Sequence, residues 1–286
     1  MGLKIVPKLH KNGHPVRPII SSLNSITSGA ESFLNDLISP IVSECQFSVK
    51  STKTYKEKFL NDRKNFNPDT HEVCSFDACQ LFTSINVERT VDYVTEKIYS
   101  NINDYFPVTP ETPQPPPITL FKKFFLHVLL EYSSFHSLAG YYKQKSGLSM
   151  GSKLSPSLAN IFCHMMEKDI IQEYIEQGII LSYHRYVDDC SVILKKGFKN
   201  EILEKMNNFD PSLKWTIESA DNNELVFLDT KIKIGTDLEL YQYRKPTASE
   251  CLTNYKYGVS PKSYKTGLLT GEIYRVYNCT TSEEAR

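Results

Sequence analysis

The hydrophobic positions change period several times along the chain, and each change predicts a new element. Two short extended runs open the chain, and an apolar helical pattern over Phe33, Leu34, Leu37 and Ile38 follows them. Residues 50–70 are polar enough for a helix and a loop at the surface. Residues 118–136 carry apolar side chains at helical spacing, which predicts one continuous helix there.

Strand patterns dominate the middle of the chain. Residues 73–76 form a short apolar run, and the pair at 141–142 indicates another strand. A short helical pattern at 199–208 precedes strand patterns at 214–218 and 225–229. This alternation predicts an α+β fold, a split β-α-β antiparallel sheet with helices on one face.

Asp188 and Asp189 lie between two short runs rich in β-branched and aromatic residues. The pattern predicts a tight hairpin with both acids at its tip. Adjacent carboxylates repel each other, and a hard cation such as Mg²⁺, which prefers carboxylate oxygen, would neutralise them. A solvated Asp-Asp turn is the alternative, and for an isolated pair it is the commoner case.

Asp77 follows the apolar run at 73–76, at the predicted end of a strand. Ligand sites gather at the carboxyl ends of strands in sheets with crossover helices. If folding brings Asp77 beside Asp188, the two acids could form a two-metal site for phosphoryl transfer. A helix cap or a turn former is the alternative for Asp77 alone.

A run of small residues at 146–155 separates these acids along the chain. Gly147 and Gly151 allow the backbone to approach a ligand closely. Ser155 and Pro156 suit the N-cap and the first turn of a helix, whose N-terminus favours phosphate. An ordinary junction between a loop and a helix explains this segment equally well.

The order of these motifs resembles that of reverse transcriptases. Asp77, the Gly-Ser-Pro loop at 147–156 and the run Tyr186-Val187-Asp188-Asp189 are similar to palm motifs A, B and C of that family. In closer detail the chain resembles the Penelope-like retroelement branch, a relative of telomerase. The segments that carry the similarity are Val6–Lys11, Arg17–Ser22, Ser75–Asp77, Leu81–Thr83, Gly147–Ser152, Ser155–Asn160, Phe227–Asp229 and Tyr243–Thr247.

The resemblance implies a role for each matching acid. Asp77 and Asp188 would hold two Mg²⁺ ions, for which Mn²⁺ could substitute, and Asp189 would complete the acidic cluster. Phe82 would lie under the sugar and clash with a 2′-hydroxyl, which favours deoxynucleotides. A core position for Phe82 beside Leu81 is the alternative.

The substrate contacts that the resemblance implies come from several segments. Lys8 and Arg17 match the fingers positions that contact the triphosphate, and Arg engages phosphate bidentately. The other matching substrate-binding positions are Gly151, Ser155, Pro156 and Tyr186.

The resemblance also implies a domain organisation. Fingers would span residues 1–70, and a palm with interleaved fingers helices and a proline-rich loop at 107–117 would span 71–247. Residues 248–286 would form a partial thumb or connecting helices. The pattern after Thr247 indicates at most two short helices, so the thumb is expected to be missing or incomplete. Trp215, the single tryptophan, is expected to anchor the core.

Composition narrows the class of protein. A chain of 286 residues that is 40% hydrophobic and 12% aromatic can bury a substantial core. Its apolar runs are too short to span a bilayer. Seven cysteines without a C-x-x-C spacing indicate reduced thiols in an intracellular protein and no zinc site. The expected location is nuclear.

The charge balance does not fit a nucleic-acid enzyme easily. The chain has 33 basic and 33 acidic residues, whereas such an enzyme should attract phosphate. Basic residues are concentrated at both ends, and the first 20 residues contain Lys4, Lys8, Lys11 and Arg17 without an acid. Neutrality nevertheless predicts weak binding at physiological salt or a missing basic region.

The sequence therefore predicts an RNA-directed DNA polymerase domain of a retroelement, which acts on an RNA template, a DNA primer and deoxynucleoside triphosphates. The primer 3′-hydroxyl would attack the α-phosphate with the help of two Mg²⁺ ions. A catalytically inactive nucleic-acid-binding remnant is the alternative that the neutral charge favours. An RNA-directed RNA polymerase is a further alternative, which Phe82 disfavours.

Overall fold

The computed structural model describes residues 2–7, 16–22, 24–107, 114–131, 134–137, 140–246 and 262–281. Lys8 and most of the proline-rich loop lie outside these residues. The strands are β1 (Gly2–Pro7), β2 (Val16–Ser21), β3 (His71–Cys79), β4 (Ser134–Ser137), β5 (Gly140–Lys143), β6 (Ile180–Tyr186), β7 (Asp189–Lys195), β8 (Lys214–Ser219), β9 (Glu224–Phe227), β10 (Thr230–Ile234) and β11 (Leu238–Gln242). The α-helices are α1 (Ser28–Ser43), α2 (Thr52–Asp62), α3 (Leu81–Ser84), α4 (Val87–Ser100), α5 (Ile102–Tyr105), α6 (Ile118–Leu126), α7 (Ser155–Met166), α8 (Gln172–Glu176), α9 (Lys199–Phe209) and α10 (Lys262–Cys279).

The chain folds into two compact units. The first unit contains Met1–Gln46, Ala78–Asp169 and Lys205–Trp215, and the second contains Phe47–Asp77, Ile170–Glu204 and Thr216–Arg286. The predicted division into fingers, palm and partial thumb stays a prediction.

The first unit combines a small sheet with a helical core. Its four strands follow the order β2-β1-β4-β5, in which β1 pairs antiparallel to β2 and parallel to β4. Helix α4 begins where the Asn86 side chain accepts a hydrogen bond from the Arg89 backbone N–H at 3.1 Å, which caps the helix. Val91, Val94 and Ile98 repeat at helical spacing and are fully buried. This apolar face explains why α4 packs against α1, α6 and α7.

The second unit is built on antiparallel strands. β7 pairs with both β6 and β3, and a further sheet has the order β11-β10-β9. Tyr55 and Phe59 of α2 pack with Ile193, Phe227 and Leu240 in one hydrophobic core. The α+β class predicted from the sequence is therefore confirmed.

Several sequence predictions need correction. The helix predicted over 118–136 divides into α6, a π-helical turn at His127–Glu131 and strand β4. β4 departs from the helical pattern because it pairs with β5, where the rings of Phe135 and Tyr142 stack with centroids 5.8 Å apart. In the described part of the tail, at most two short helices were expected, and the structure has the 18-residue helix α10. Further corrections, to Asp77, the two glycines and the cap of α7, concern the candidate site.

The cysteines, Trp215 and the hydropathy of the helices bear on the expectations from composition. The cysteines among them are free thiols. Trp215 is 4% exposed and serves as a core residue, as predicted. None of the helices in the described ranges combines the length and the hydropathy that a membrane span requires.

Candidate active site

The paired aspartates lie at the tip of the hairpin that β6 and β7 form. Tyr186 pairs with Asp189 across the hairpin, so Val187 and Asp188 form a two-residue turn. Val187 has a φ of +57°, which hairpin turns of this length require and β-branched residues rarely adopt. The predicted hairpin is present, and its turn is strained at the residue before the two acids.

A buried arginine supports this turn from within the second unit. Arg185 is fully buried, and its guanidinium donates to the Val187 carbonyl at 3.2 Å. Its own backbone N–H donates to the Phe47 carbonyl at 2.9 Å, and its carbonyl accepts from the Val49 N–H at 2.8 Å. These contacts hold Val187 in its unusual conformation and fix the direction in which the turn leaves β6.

The third predicted acid lies on the strand next to the hairpin. β3 runs antiparallel to β7, and Asp77 is paired directly with Asp189 in that register. Asp77 precedes the end of β3 at Cys79, so it lies within the strand and not after it. The fold thus brings Asp77 together with Asp188 and Asp189, although more than a hundred residues separate Asp77 from the other two in the sequence.

The pKa of Asp189 reflects the close approach of the other two acids. Desolvation, followed by the charges of Asp188 and Asp77, raises the pKa of Asp189 to about 6. A side-chain hydrogen bond with Asp77 also raises this pKa, and the charge of Lys245 lowers it. Asp189 therefore retains its proton more readily than an isolated aspartate does, and a bound cation would relieve the same repulsion.

The chemistry of this donor set fits a divalent metal ion. In the part of the chain that the structure describes, no three His, Cys, Asp or Glu side chains already enclose one metal position. The three aspartates nevertheless present hard carboxylate oxygens, which Mg²⁺ and Mn²⁺ prefer. Their mutual repulsion gives a reason for such an ion to bind, so Asp77, Asp188 and Asp189 are the residues that would hold it.

The glycines at 147 and 151 belong to the first unit, in a segment that we call the glycine loop (residues 147–155). Gly147 has a φ of +71°, and a Cβ there would lie 2.6 Å from the Thr83 Cα. Gly151 has a φ of +118°, and its Cβ would lie 2.7 Å from the Ile20 carbonyl oxygen. The close approach that requires glycine is thus to neighbouring backbone, where the sequence predicted an approach to ligand.

The glycine loop forms hydrogen bonds with the Phe82 backbone and, within itself, through the Ser155 hydroxyl. The Phe82 carbonyl accepts from the Leu148 N–H at 2.6 Å, and the Phe82 side chain is half-buried. Helix α7 begins at Ser155 with no side-chain cap, and the Ser155 hydroxyl donates to the Ser149 carbonyl at 2.7 Å. The predicted N-cap role of Ser155 is therefore wrong, because the hydroxyl bonds inside the loop and not to the helix. Pro156 lies in the first turn of α7, as predicted.

The remaining predicted substrate residues lie in different places. Arg17 is exposed on β2 of the first unit, opposite Val6. Tyr186 ends β6 of the second unit and is 38% exposed. Lys8 falls outside the described residues. Contacts between these side chains and a substrate stay predictions.

The sequence patterns did not single out several buried charged residues, and Arg185 and Glu31 are two of them. Arg185 lies on β6 shortly before the acids, where a charge inside a buried strand is unusual. Glu31 lies on the same face of α1 as Leu34, Ile38 and Ile41, and it is 3% exposed. Its position in that apolar repeat was a usable signal, because a glutamate on a buried helix face has to find hydrogen-bond donors.

The chain matches a protein-family model. The family model described as reverse transcriptase (RNA-dependent DNA polymerase) matches residues 9–235. This range includes the glycine loop and all three aspartates. Comparison with curated protein sequences gives no match.

Solved structures with a similar fold include telomerases and an RNA-dependent RNA polymerase. The telomerase of Candida albicans in complex with the TWJ fragment of telomeric RNA has a TM-score of 0.58 and 14% identity, over 89% of this chain and 46% of that chain. Apo telomerase of Candida tropicalis truncated from the C-terminal domain has a TM-score of 0.54 and 15% identity, over 84% and 54% respectively. A structure of an RNA-dependent RNA polymerase with vp4 and dsRNA has a TM-score of 0.54 and 12% identity, over 81% and 22%.

At these identities the similarity concerns the fold alone, which is that of polymerase palm and fingers. The chain spans about half the length of the two telomerase chains. The family model, in contrast, covers most of the sequence. The chain therefore belongs to the reverse transcriptase family.

Proposed function

We propose that this chain is an RNA-directed DNA polymerase, which transfers nucleotides from deoxynucleoside triphosphates to the 3′-hydroxyl of a primer. Membership of the family supports a polymerase of the nucleotidyltransferase class. The observation that carries the proposal is the group of three carboxylates in the second unit: Asp77 and Asp189 on paired strands, and Asp188 in the turn before Asp189. A protein that only binds nucleic acid gains nothing from acids that repel each other and repel phosphate.

In this proposal Asp77, Asp188 and Asp189 hold divalent cations. Bound there, the ions would supply positive charge to the phosphoryl group and to the attacking and leaving oxygens. The chain itself contributes position, since the paired strands β3 and β7 fix Asp77 against Asp189 and Arg185 fixes the turn that carries Asp188. Such preorganisation reduces the entropy lost when the reacting groups are aligned.

The type of nucleotide and template is supported by fewer residues than the metal site is. An aromatic side chain at Phe82 supports deoxynucleotides, because its ring would exclude a 2′-hydroxyl. The fold shared with telomerase, one structure of which contains telomeric RNA, supports an RNA template. Origin from a Penelope-like retroelement and a nuclear location form part of the proposal and rest on the sequence motifs alone.

Primer extension tests the proposal directly. The wild-type chain, an RNA template, a DNA primer, deoxynucleotides and Mg²⁺ at low salt should give extension products. Asp188→Asn should lower the rate by at least about a hundredfold, because it removes a charged ligand and leaves the size of the side chain unchanged. Asp221→Asn is the matched control, since Asp221 is an exposed aspartate of the same unit outside the three acids. It should leave the rate unchanged.

The other outcomes separate the competing functions. Extension at the wild-type rate by Asp188→Asn would refute the assignment of the acids. Preferential use of ribonucleotides would indicate the RNA-directed RNA polymerase that one structural neighbour suggests. A folded wild-type chain that binds a primer–template but does not extend it would be the inactive remnant.

A further inference from the structure

A buried glutamate connects the glycine loop to the rest of the first unit. Glu31 lies in the first turn of α1 and is 3% exposed. Its carboxylate accepts hydrogen bonds from the Ser22 hydroxyl at 2.7 Å, the Thr27 hydroxyl at 3.0 Å, the Ser152 hydroxyl at 2.8 Å and the Lys153 backbone N–H at 3.1 Å. A buried carboxylate is costly unless it is hydrogen-bonded, so these donors are held in place around it.

The donors come from three separate segments. Ser22 follows β2, Thr27 immediately precedes α1, and Ser152 and Lys153 belong to the glycine loop. One oxygen, Oε2, accepts from Ser22, Ser152 and Lys153 together. A single atom thus joins the end of β2 to the loop.

Backbone contacts show where this connection places the loop. The Ile20 N–H donates to the Met150 carbonyl at 2.7 Å, and the Ser22 N–H donates to the Gly151 carbonyl at 3.3 Å. The second bond is long for a backbone pair, so it alone would hold the loop weakly. The carboxylate of Glu31 lies beside this weak pair and reinforces it.

Packing around the loop is incomplete on the side of Glu31. A small cavity adjoins Glu31, and its walls include Val128, Leu148, Ser149 and Ser155. Side chains next to a cavity lack part of their van der Waals contacts, so the loop depends more on polar contacts there. Removal of the carboxylate would enlarge this space and leave the Ser22 and Ser152 hydroxyls without their acceptor.

We propose that Glu31 is the positioning residue of the glycine loop. It fixes the loop to β2 and α1, so that Gly151 and the start of α7 are presented in one conformation. The functional part of this inference rests on the proposed function and on the substrate contacts predicted for Gly151 and Ser155 of this loop. Glu31 itself, being buried, would act through Ser152 and Lys153.

Hydrogen exchange of backbone amides tests the positioning without any need for activity. In Glu31→Ala the amides of Ile20, Ser22 and Lys153 should exchange faster by about tenfold or more, because their local opening becomes easier. Glu31→Gln keeps the shape and one acceptor oxygen, so it should restore most of the protection. It also covers the case in which the alanine variant does not fold.

Asp210→Ala is the matched control for these variants. Asp210 is a carboxylate of the same unit, 3% exposed, and it accepts hydrogen bonds from Arg89 and Ser212. Its removal should speed exchange near Ser212 and leave the glycine loop protected. Unchanged exchange of the loop amides in Glu31→Ala would overturn the positioning role. So would an increase in Glu31→Ala that is equally large throughout the first unit, including the amides near Ser212.

Steady-state primer extension tests the functional part. Glu31→Ala should raise KM for the deoxynucleotide by about tenfold and change kcat less, since the loop is assigned to binding and the aspartates to chemistry. Glu31→Gln should recover most of the lost affinity, whereas Asp210→Ala should keep the wild-type KM. A loosened loop with an unchanged KM would refute the link to substrate. An inactive wild-type chain would count against the proposed function, and hydrogen exchange would still decide the positioning.

Discussion

Backbone conformation decides which residue can stand at several positions near the candidate site. Gly147 combines a positive φ with a Thr83 backbone that leaves no room for a Cβ. Gly178 has a similar φ of +64° but nothing within 4 Å of the position of its Cβ. Val187 tolerates a positive φ because Arg185 donates to its carbonyl. Similar dihedral angles therefore have different costs, which depend on the neighbouring atoms.

The two glycines allow the steric cost to be measured apart from the conformational cost. Gly147→Ala should lower the free energy of unfolding by about 3 kcal/mol or more, since strain and overlap with Thr83 add together. Gly178→Ala should lower it by about 1 kcal/mol, because only the strain applies. Urea denaturation of both variants provides the comparison. Equal losses would show that the Thr83 backbone moves away at little cost.

At the scale of elements, the end of α2 is fastened to β6 by a polar cluster. The Asp62 Oδ2 atom accepts from the Ser182 hydroxyl at 2.7 Å and contacts the His184 Nε2 at 2.8 Å. Burial alone would raise the pKa of Asp62, but the hydrogen bonds from His184 and Ser182 outweigh burial and lower it below its usual 3.8. The charged form of Asp62 thus stabilises the strand that leads into the candidate site.

The lowered pKa of Asp62 predicts that the free energy of unfolding depends on pH in the acid range. A carboxyl group whose pKa is lower in the folded state than in the unfolded state stabilises the fold above the unfolded value and stops doing so as the pH falls through the folded value. The wild-type protein should therefore lose stability below about pH 4. Asp62→Asn should lose less over the same interval, and an exposed control, Asp69→Asn, should follow the wild type. Thermal unfolding between about pH 5 and pH 2 measures the difference, and parallel curves for Asp62→Asn and the wild type would contradict it.

At the scale of the whole molecule, a net charge of zero conceals an uneven distribution. The four strands of the sheet β2-β1-β4-β5 contain Lys4, Arg17, His136 and Lys143 and no acidic residue. Lys4, Arg17 and Lys143 are exposed. A nucleic acid would meet a cationic surface here although the chain as a whole is neutral.

Salt dependence of binding tests whether this sheet contributes to affinity. The affinity for a primer–template should fall as the salt concentration rises, because bound counterions are released from phosphates. Replacement of both Lys4 and Arg17 by alanine should reduce the slope of log K against log salt by about one to two. Lys231→Ala is the control, because Lys231 is ion-paired with Glu224 at 2.8 Å in the second unit. Fluorescence anisotropy of a labelled primer–template at several salt concentrations gives the slopes. An unchanged slope in the double variant would show that Lys4 and Arg17 do not contribute to nucleic-acid binding.

The sequence alone determined the features that depend on short stretches of chain. The β6–β7 hairpin follows from β-branched and aromatic runs on both sides of Asp188 and Asp189, and the strand before Asp77 follows from its apolar run. Gly147 and Gly151 were predicted as positions of close backbone approach, because glycine has no Cβ. The order of these motifs along the chain was enough to indicate the family.

Only the tertiary structure decided which atoms these features meet. The residues that donate to Glu31 lie up to 122 positions from it in the sequence, so no local pattern could show that its carboxylate joins β2 to the glycine loop. The same holds for Thr83 beside Gly147 and for β5, whose pairing converts the end of a predicted helix into β4. Periodicity and dihedral limits act within a few residues, whereas burial of a charge and pairing of strands depend on segments that only folding brings together.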